Sequence, residues 1–360
     1  MKSLKLNLFS RVLCAAMLSF GLVLTSCDNA TDLSGSESAN CYVVSNAGAY
    51  KFKSVKGNSS TSVGSVASAE VLWESFGTDL EPNVGDLIKS VSHSDSYIYF
   101  QTADTFKEGN AVIAAKDASG EILWSWHIWF TDQPQGQVYY YNAGIMMDRN
   151  LGATSATPGD VSALGLLYQW GRKDPFLGSS SISSSTVAKS TISWPSAVSS
   201  DSSKGTIAYA TANPTTFITL NSSNYDWYYT GSSSTDNTRW TTSDKDKSIY
   251  DPCPSGWRVP DSGVWSYANR SSSIHTYSST NEGMNFSGKY GSASSIWYPA
   301  SGYRNFGYGG LSYVGSYGYY WSASHDGGYA YYLLFNNSGY VGPSDYYSRA
   351  YGYSVRCLQE

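Results

Sequence analysis

The side chains that usually carry catalysis are few in this chain and stand far apart. Its four histidines are His93, His127, His275 and His325, and none has a partner at the spacing of a metal-binding motif. No Gly-x-Ser-x-Gly elbow is present to raise a nucleophilic serine. Gly307-Tyr308-Gly309-Gly310 lacks the last glycine and the strand-to-helix setting of a nucleotide loop, and no P-loop occurs. No catalytic residue, cofactor or metal is expected. What the chain offers instead is phenol. Fifteen of its 31 Tyr lie between Trp297 and Tyr353. From Gly302 to Tyr353 there is no Lys, Glu, Gln or Met, although the other residues hold 33 of these four types.

Two readings of that stretch are open. In one it is a Gly/Tyr/Ser-rich run of short strands and turns, with Tyr as half-buried strand residues. In the other it is a binding surface. Tyr brings large, stiff, amphipathic contact area, and Ser, Gly and Asn bring adaptable hydrogen bonding, the mixture found in antibody loops.

The rest of the composition narrows the partners. Charged residues make up 14% of the chain, the formal net charge is −5, and no basic stripe exists, so phosphate neutralisation on a nucleic acid is not expected. Residues 1–27 read as a processing segment. Lys2, Lys5 and Arg11 form a basic start, Val12 to Leu24 an apolar core, and Leu24-Thr25-Ser26-Cys27 resembles a bacterial lipobox. Cys27 would then carry the lipid and become the mature N-terminus, on an outer-membrane lipoprotein displayed at the cell surface. Residues 28–39 are small and polar, as a tether should be. With Cys14 removed and Cys27 acylated, Cys41, Cys253 and Cys357 remain, an odd count that allows one disulfide and one free thiol. Cys253 and Cys357 are the favoured pair because both stand beside well-marked motifs; a bridge to Cys41 is the alternative.

These residues need elements to position them. From Cys41 to Phe130 strand follows strand, separated by Gly57-Asn58, Pro82-Asn83, Glu108-Gly109-Asn110 and Ser119-Gly120. In the last strand Trp124, Trp126, Ile128 and Phe130 share one face by period two, which predicts a core face. His127 points the other way with Ser125 and Trp129 and reads as structural. Residues 40–133 are therefore expected to form an all-β sandwich, followed by a linker at Gln133-Pro134-Gln135-Gly136. Residues 137–360 read as an α+β domain. Ser162 would cap a helix over Ala163–Gly171, and Asp261 a second one through Arg270. The Ser-rich residues Gly178–Ser203 read as a long surface loop.

Five motifs then occur in order: Asp148-Arg149-Asn150-Leu151-Gly152-Ala153, Leu167-Tyr168-Gln169-Trp170-Gly171-Arg172-Lys173-Asp174-Pro175-Phe176, Asp251-Pro252-Cys253-Pro254-Ser255-Gly256-Trp257-Arg258-Val259-Pro260, Tyr320-Trp321-Ser322-Ala323 and Ser354-Val355-Arg356-Cys357. Together they resemble the Fibrobacter succinogenes major paralogous domain over about Val138–Glu360. The resemblance implies a C-type-lectin-like fold that displays loops on one face. It implies a surface binding protein or adhesin whose partner is a protein or glycan; a structural subunit of a surface assembly or pilus is the alternative, and a carbohydrate-modifying enzyme ranks behind both. Sugar-binding lectins of that fold use Glu-Pro-Asn or Gln-Pro-Asp followed by Trp-Asn-Asp. Here Glu81-Pro82-Asn83 lies in the other domain and the Trp position reads Trp321-Ser322-Ala323, so calcium-dependent sugar binding is not implied.

The resemblance extends to variable proteins diversified by retroelements. Those proteins carry a variable C-terminal segment on this fold, written by mutating adenines, mainly in AAC codons. The resulting NNC codons cannot encode Lys, Glu, Gln, Met or Trp, and Trp321 is the one such residue between Gly302 and Tyr353. Leu311, Val314, Trp321, Ala323, Leu333, Phe335 and Val341 then read as framework chosen to pack. Phe306, Tyr308, Ser312, Tyr313, Ser316, Tyr317, Tyr319, His325, Asp326, Tyr329, Tyr331, Tyr332, Tyr340, Asp345, Tyr346, Tyr347 and Tyr351 read as positions chosen to vary. All of these except the two serines are the candidate ligand contacts. Arg304, Arg349 and Arg356 read as structural, bonded to carbonyls or Asp.

Overall fold

The structure is a computed structural model that describes residues 29–35, 37–139, 143–220, 224–232, 235–242, 246–269, 274–287 and 295–360. Cys27, the leader and Arg270 lie outside the described residues. The first half contains eight strands: β1 (Thr31–Asp32), β2 (Cys41–Val44), β3 (Ala49–Lys53), β4 (Ser68–Ser75), β5 (Ile88–Ser94), β6 (Tyr97–Thr102), β7 (Gly109–Lys116) and β8 (Ile122–Phe130). They form two four-stranded sheets, in the orders β1-β3-β6-β5 and β2-β8-β7-β4. Trp124, Trp126, Ile128 and Phe130 of β8 fill the core between them with Phe52, Ile98 and Phe100. Small residues of β7 stand opposite three large ones of β8, with Gly109 facing Phe130, Ala111 facing Ile128 and Ala115 facing Trp124, while Ile113 faces Trp126. That alternation lets three rings fit one layer at interior density.

The other face of the β2-β8-β7-β4 sheet is also buried. Cys41, Trp73, Val112 and Trp129 join one core cluster with Met147, Leu151, Tyr168 and Val259 of the second half. Most polar groups along this seam are paired, as burial requires, and among the described residues His127 Nδ1 and Tyr168 Oη are the exceptions. His127 Nε2 lies 2.8 Å from Asn110 Oδ1, and Asn110 Nδ2 donates to Gly152 O at 2.9 Å. Trp129 Nε1 donates to Ala153 O at 3.1 Å. Lys173 Nζ donates to Ser125 O at 3.0 Å and to Asp174 Oδ1 at 2.6 Å, and Ser125 Oγ donates to the same carboxylate at 2.6 Å. The motifs around Asp148 and Leu167 thus supply the surface on which the sandwich rests. Residues 178–203 are not a free surface loop. Thr191 N and Glu74 O bond at 3.0 Å, Ser75 Oγ donates to Lys189 O at 2.6 Å, and Trp194 packs on Trp73 with centroids 5.5 Å apart. The segment covers the outer edge of β4, where open ladder groups would otherwise invite pairing with another chain.

The second half is mostly sheet. Its strands are β9 (Gly136–Tyr139), β10 (Gly144–Met147), β11 (Leu167–Gln169), β12 (Val198–Ser199), β13 (Ile218–Thr219), β14 (Trp257–Arg258), β15 (His275–Ser278), β16 (Gly283–Ser287), β17 (Ser295–Pro299), β18 (Tyr303–Arg304), β19 (Leu311–Ser312), β20 (Tyr317–Asp326), β21 (Tyr329–Asn336), β22 (Val341–Ser348), β23 (Gly352–Ser354) and β24 (Leu358–Gln359). The largest sheet runs β19-β18-β23-β20-β21-β22, with β11 also paired to β23. Among the described residues the only α-helix is α1, Ile207–Ala212, capped by Thr206 Oγ1, which accepts from Tyr209 N at 3.0 Å. No helix among the described residues is long and apolar enough to cross a membrane.

Both expected helices are corrected. Val161–Ala163 is a 3-10 turn, and its cap is Asp160, which accepts from Ser162 N at 2.9 Å. Gly165 follows at φ +72°, where an added Cβ would lie 2.9 Å from Leu151 O, so the chain turns away from a helix there. Leu167, Tyr168 and Gln169 then form β11, buried on all sides. A short buried strand and a helix segment share the same apolar run, and spacing does not separate them. Ser262–Trp265 is likewise a single 3-10 turn, and Asp261 bonds Arg258 Nη2 at 2.8 Å instead of capping it.

Candidate binding face

Cross-strand register gathers Tyr319, Trp321, Tyr332 and Asp345 on one face of the sheet. Tyr319 faces Leu334, Trp321 faces Tyr332, and Tyr332 faces Asp345 across β20, β21 and β22. The opposite face of β20 and β21 carries Tyr320, Leu333 and Phe335 into an interior cluster with Met284 and Phe286. Gly318 is needed there: a Cβ would fall 2.1 Å from the Phe335 ring.

On the outward side the rings form a graded stack. Its base is Tyr353, 2% exposed, whose ring centroid is 4.2 Å from Trp321, 4.7 Å from Tyr319, 5.0 Å from Tyr332 and 5.3 Å from Tyr351. Trp321 is fully buried and its Nε1 donates to Tyr168 O at 2.9 Å, tying the stack to β11. Half-buried rings come next. Tyr303 meets Tyr319, Tyr351 and Tyr313 at 5.2, 5.1 and 5.7 Å; Tyr317 meets Tyr313 and Tyr319 at 5.1 and 5.9 Å; Phe306 meets Tyr351 at 4.8 Å. The rim is open. Tyr308 is 62% exposed, Tyr313 55%, Tyr346 50% and Tyr347 46%. Tyr347 leans on Tyr351 at 5.8 Å, and Tyr346 contacts Tyr329 and Tyr331 at 5.7 and 5.5 Å. Edge-to-face and offset pairs at these separations are the favoured arrangements of aromatic quadrupoles.

Of the candidate contacts, Tyr308, Tyr313, His325, Asp326, Tyr340, Tyr346 and Tyr347 are exposed. Phe306, Tyr317, Tyr319, Tyr329, Tyr331, Asp345 and Tyr351 are half-buried. Tyr332 is the exception: at 7% exposed it belongs to the base, against Trp321 and Tyr353. Three participants escaped the sequence reading. Tyr353, the base of the stack, stands at the end of the stretch and in neither set. Tyr303 sits at the centre of the stack, hidden because it opens the stretch beside Arg304. Tyr225 comes from a distant loop, 44% exposed, with its ring 4.8 Å from Tyr329 and φ at +56°. The run Tyr225-Asp226-Trp227-Tyr228-Tyr229 was the available signal.

Arginines hold this scaffold from below. Arg349 is fully buried. It donates to Thr235 Oγ1 at 2.9 Å, Asp236 O at 3.1 Å, Gly327 O at 2.9 Å and Tyr329 O at 3.1 Å, and lies 4.2 Å over the Trp170 ring. With the buried Arg239–Asp226 pair it fixes the Tyr225 loop against the β20–β21 turn. Arg304 donates to Leu177 O at 2.9 and 2.7 Å and to Gly309 O at 2.7 Å. Arg356 Nη2 donates to Asn150 Oδ1 at 3.1 Å and covers the Tyr298 ring at 3.8 Å.

The electrostatics suit recognition. Burial first, then neighbouring phenols, raises the Tyr319 and Tyr351 hydroxyls above their ordinary range, so both stay neutral donors and acceptors near pH 7. Burial and then the Arg349 charge push His325 down, which leaves it neutral near pH 7. Tyr340 Oη donates to Asp345 Oδ2 at 3.3 Å. Behind the face, Cys253 and Cys357 are joined in a disulfide with Cα atoms 6.0 Å apart, and Cys41 is free and buried. No protein-family model, curated protein or solved structure matches the chain.

Proposed function

We propose that this chain is a lipid-anchored surface protein that binds a protein or glycan through segment 302–353 and turns over no substrate. The second half is read as a C-type-lectin-like domain, and the segment as a hypervariable one of the kind retroelements write. The observation that carries the reading is the division of the segment by burial. Of the seven framework positions, Val314, Trp321, Ala323, Leu333, Phe335 and Val341 are buried and Leu311 is half-buried. Of the seventeen positions read as variable, Tyr332 alone is buried. A surface that must accept many side chains without unfolding has to keep its packing residues and its contact residues on separate positions.

Two experiments test it. Residues 28–360 applied to glycan and protein arrays should give a ligand. Changing Tyr308, Tyr317, Tyr331 and Tyr346 to Ala in turn should then weaken binding by about 2 kcal/mol at the strongest anchor, while Lys89→Ala on the outer sandwich sheet leaves it unchanged. Equal binding by all five variants puts the site elsewhere. Sequencing the locus should reveal a non-coding repeat with adenines opposite the variable codons, beside a reverse-transcriptase gene. Codons ending in G or A at those positions refute the retroelement origin.

A further inference from the structure

We infer that the ligand of the Tyr face is a folded protein presenting a Lys- and Arg-rich patch; this rests on the reading of segment 302–353 as a binding face. The segment offers no cation to solvent. It contains no Lys, and its two arginines are spent inward: Arg304 on Leu177 O and Gly309 O, Arg349 on Thr235, Asp236, Gly327 and Tyr329. His325 is held neutral near pH 7 by burial and by Arg349. The formal charges left are the exposed Asp326 and the half-buried Asp345, of which Asp345 already accepts from Tyr340.

The shape suits a broad partner better than a small ligand. Two roomy clefts among the described residues, of 420 and 570 Å3, are lined by residues such as Lys53, Lys247, Leu80 and Lys107, and neither touches a ring of the face. A broad array of half-exposed rings suits a flat macromolecular partner, whereas small molecules take concave sites. A carboxylate beside a Tyr, as at Asp345 with Tyr340 and at Asp326 opposite Tyr329, attracts ammonium and guanidinium groups twice over. The ring faces act through their quadrupole and the carboxylates through charge. Without Lys2, Lys5 and Arg11 of the leader the formal net charge of −5 becomes −5 − 3 = −8, which adds long-range attraction in the same direction.

A displayed library of random constrained peptides, panned on residues 28–360, tests this. Peptides whose binding needs Tyr313 and Tyr347 should be enriched in Lys and Arg at least about twofold over the input. Their association should slow about tenfold between about 50 and about 500 mM salt as the field is screened. Asp326→Asn with Asp345→Asn should remove the Lys and Arg enrichment and keep the dependence on Tyr. Tyr-dependent peptides that are neutral or acidic overturn the basic partner and leave the binding face standing. Peptides bound equally well by Tyr313→Ser with Tyr347→Ser overturn both. Glycan binding, or self-association in light scattering that the Tyr variants abolish, also refutes a basic protein partner while sustaining the face.

Discussion

Replacing a ring at the base of the stack and replacing one at its rim should have clearly unequal costs. Tyr353 is 2% exposed and packs against five rings. A buried Tyr removes about 200 Å2 from water, which at about 25 cal/mol per Å2 is about 5 kcal/mol as an upper bound. Large-to-small changes at such sites cost about 3–5 kcal/mol, so Tyr353→Ser should lose that much. Tyr308, at 62% exposure, keeps only about 80 Å2 covered, and on the same upper-bound scale Tyr308→Ser should cost about 2 kcal/mol at most. Tyr346→Ser and Tyr347→Ser should fall in the same low range. Tyr332→Ser should behave like the base, because the structure buries it. The assay is urea unfolding followed by Trp fluorescence, with equal slopes confirming a common unfolded state. Rim variants as damaged as Tyr353→Ser would show that the rim is structural and refute the separation of packing from contact.

Three further outcomes are expected. Cys253→Ser opens a link spanning 104 residues, and denaturant unfolding should show a loss of about 4–5 kcal/mol; a non-reduced digest should join the Cys253 and Cys357 peptides, with Cys41 alkylated only after unfolding. Cys27→Ala should abolish labelling by a fatty-acid probe, and equal labelling of wild type would refute the anchor. His127→Asn should flatten acid sensitivity. The buried imidazole has its pKa depressed to about 3 by burial, against about 6.5 unfolded. Below pH about 6.5 the unfolded chain therefore takes a proton the folded one refuses. Stability falls by about 1.4 kcal/mol per pH unit down to about pH 3. Asp251, pushed up to about 6 by burial, works in the opposite direction between about pH 6 and 4, but equally in both proteins. The wild-type minus variant difference should keep the full slope, and parallel pH profiles would contradict the burial of His127.

The first half of the fold was legible because its strands alternate. Period two marked Trp124, Trp126, Ile128 and Phe130 as a core face, and the structure puts all four in the sandwich core. The same alternation said that Ser125, His127 and Trp129 leave by the other side. It did not say that a second half waits there, because a sheet with one face on a core and the other on a domain seam spells the same pattern as one facing water. Around Leu167 the apolar run fitted a helix and a buried strand equally well. Gly165 and the pairing with β23 decided for the strand, and pairing is a contact between residues nearly two hundred positions apart.

By itself the sequence determined the composition of the face: which fifty residues hold the rings, which cations they lack, and which apolar positions stand among them to pack. Only the tertiary structure decided the depth of each ring. It turned Tyr332 and Tyr353 into a base, left Tyr308, Tyr346 and Tyr347 at the rim, brought Tyr225 in from a distant loop, and spent Arg304 and Arg349 on internal carbonyls. A Tyr has the same propensity at the base as at the rim. What separates the two is the bulge that shifts register after Trp321 and the strands that close behind it, and neither is written in the local sequence.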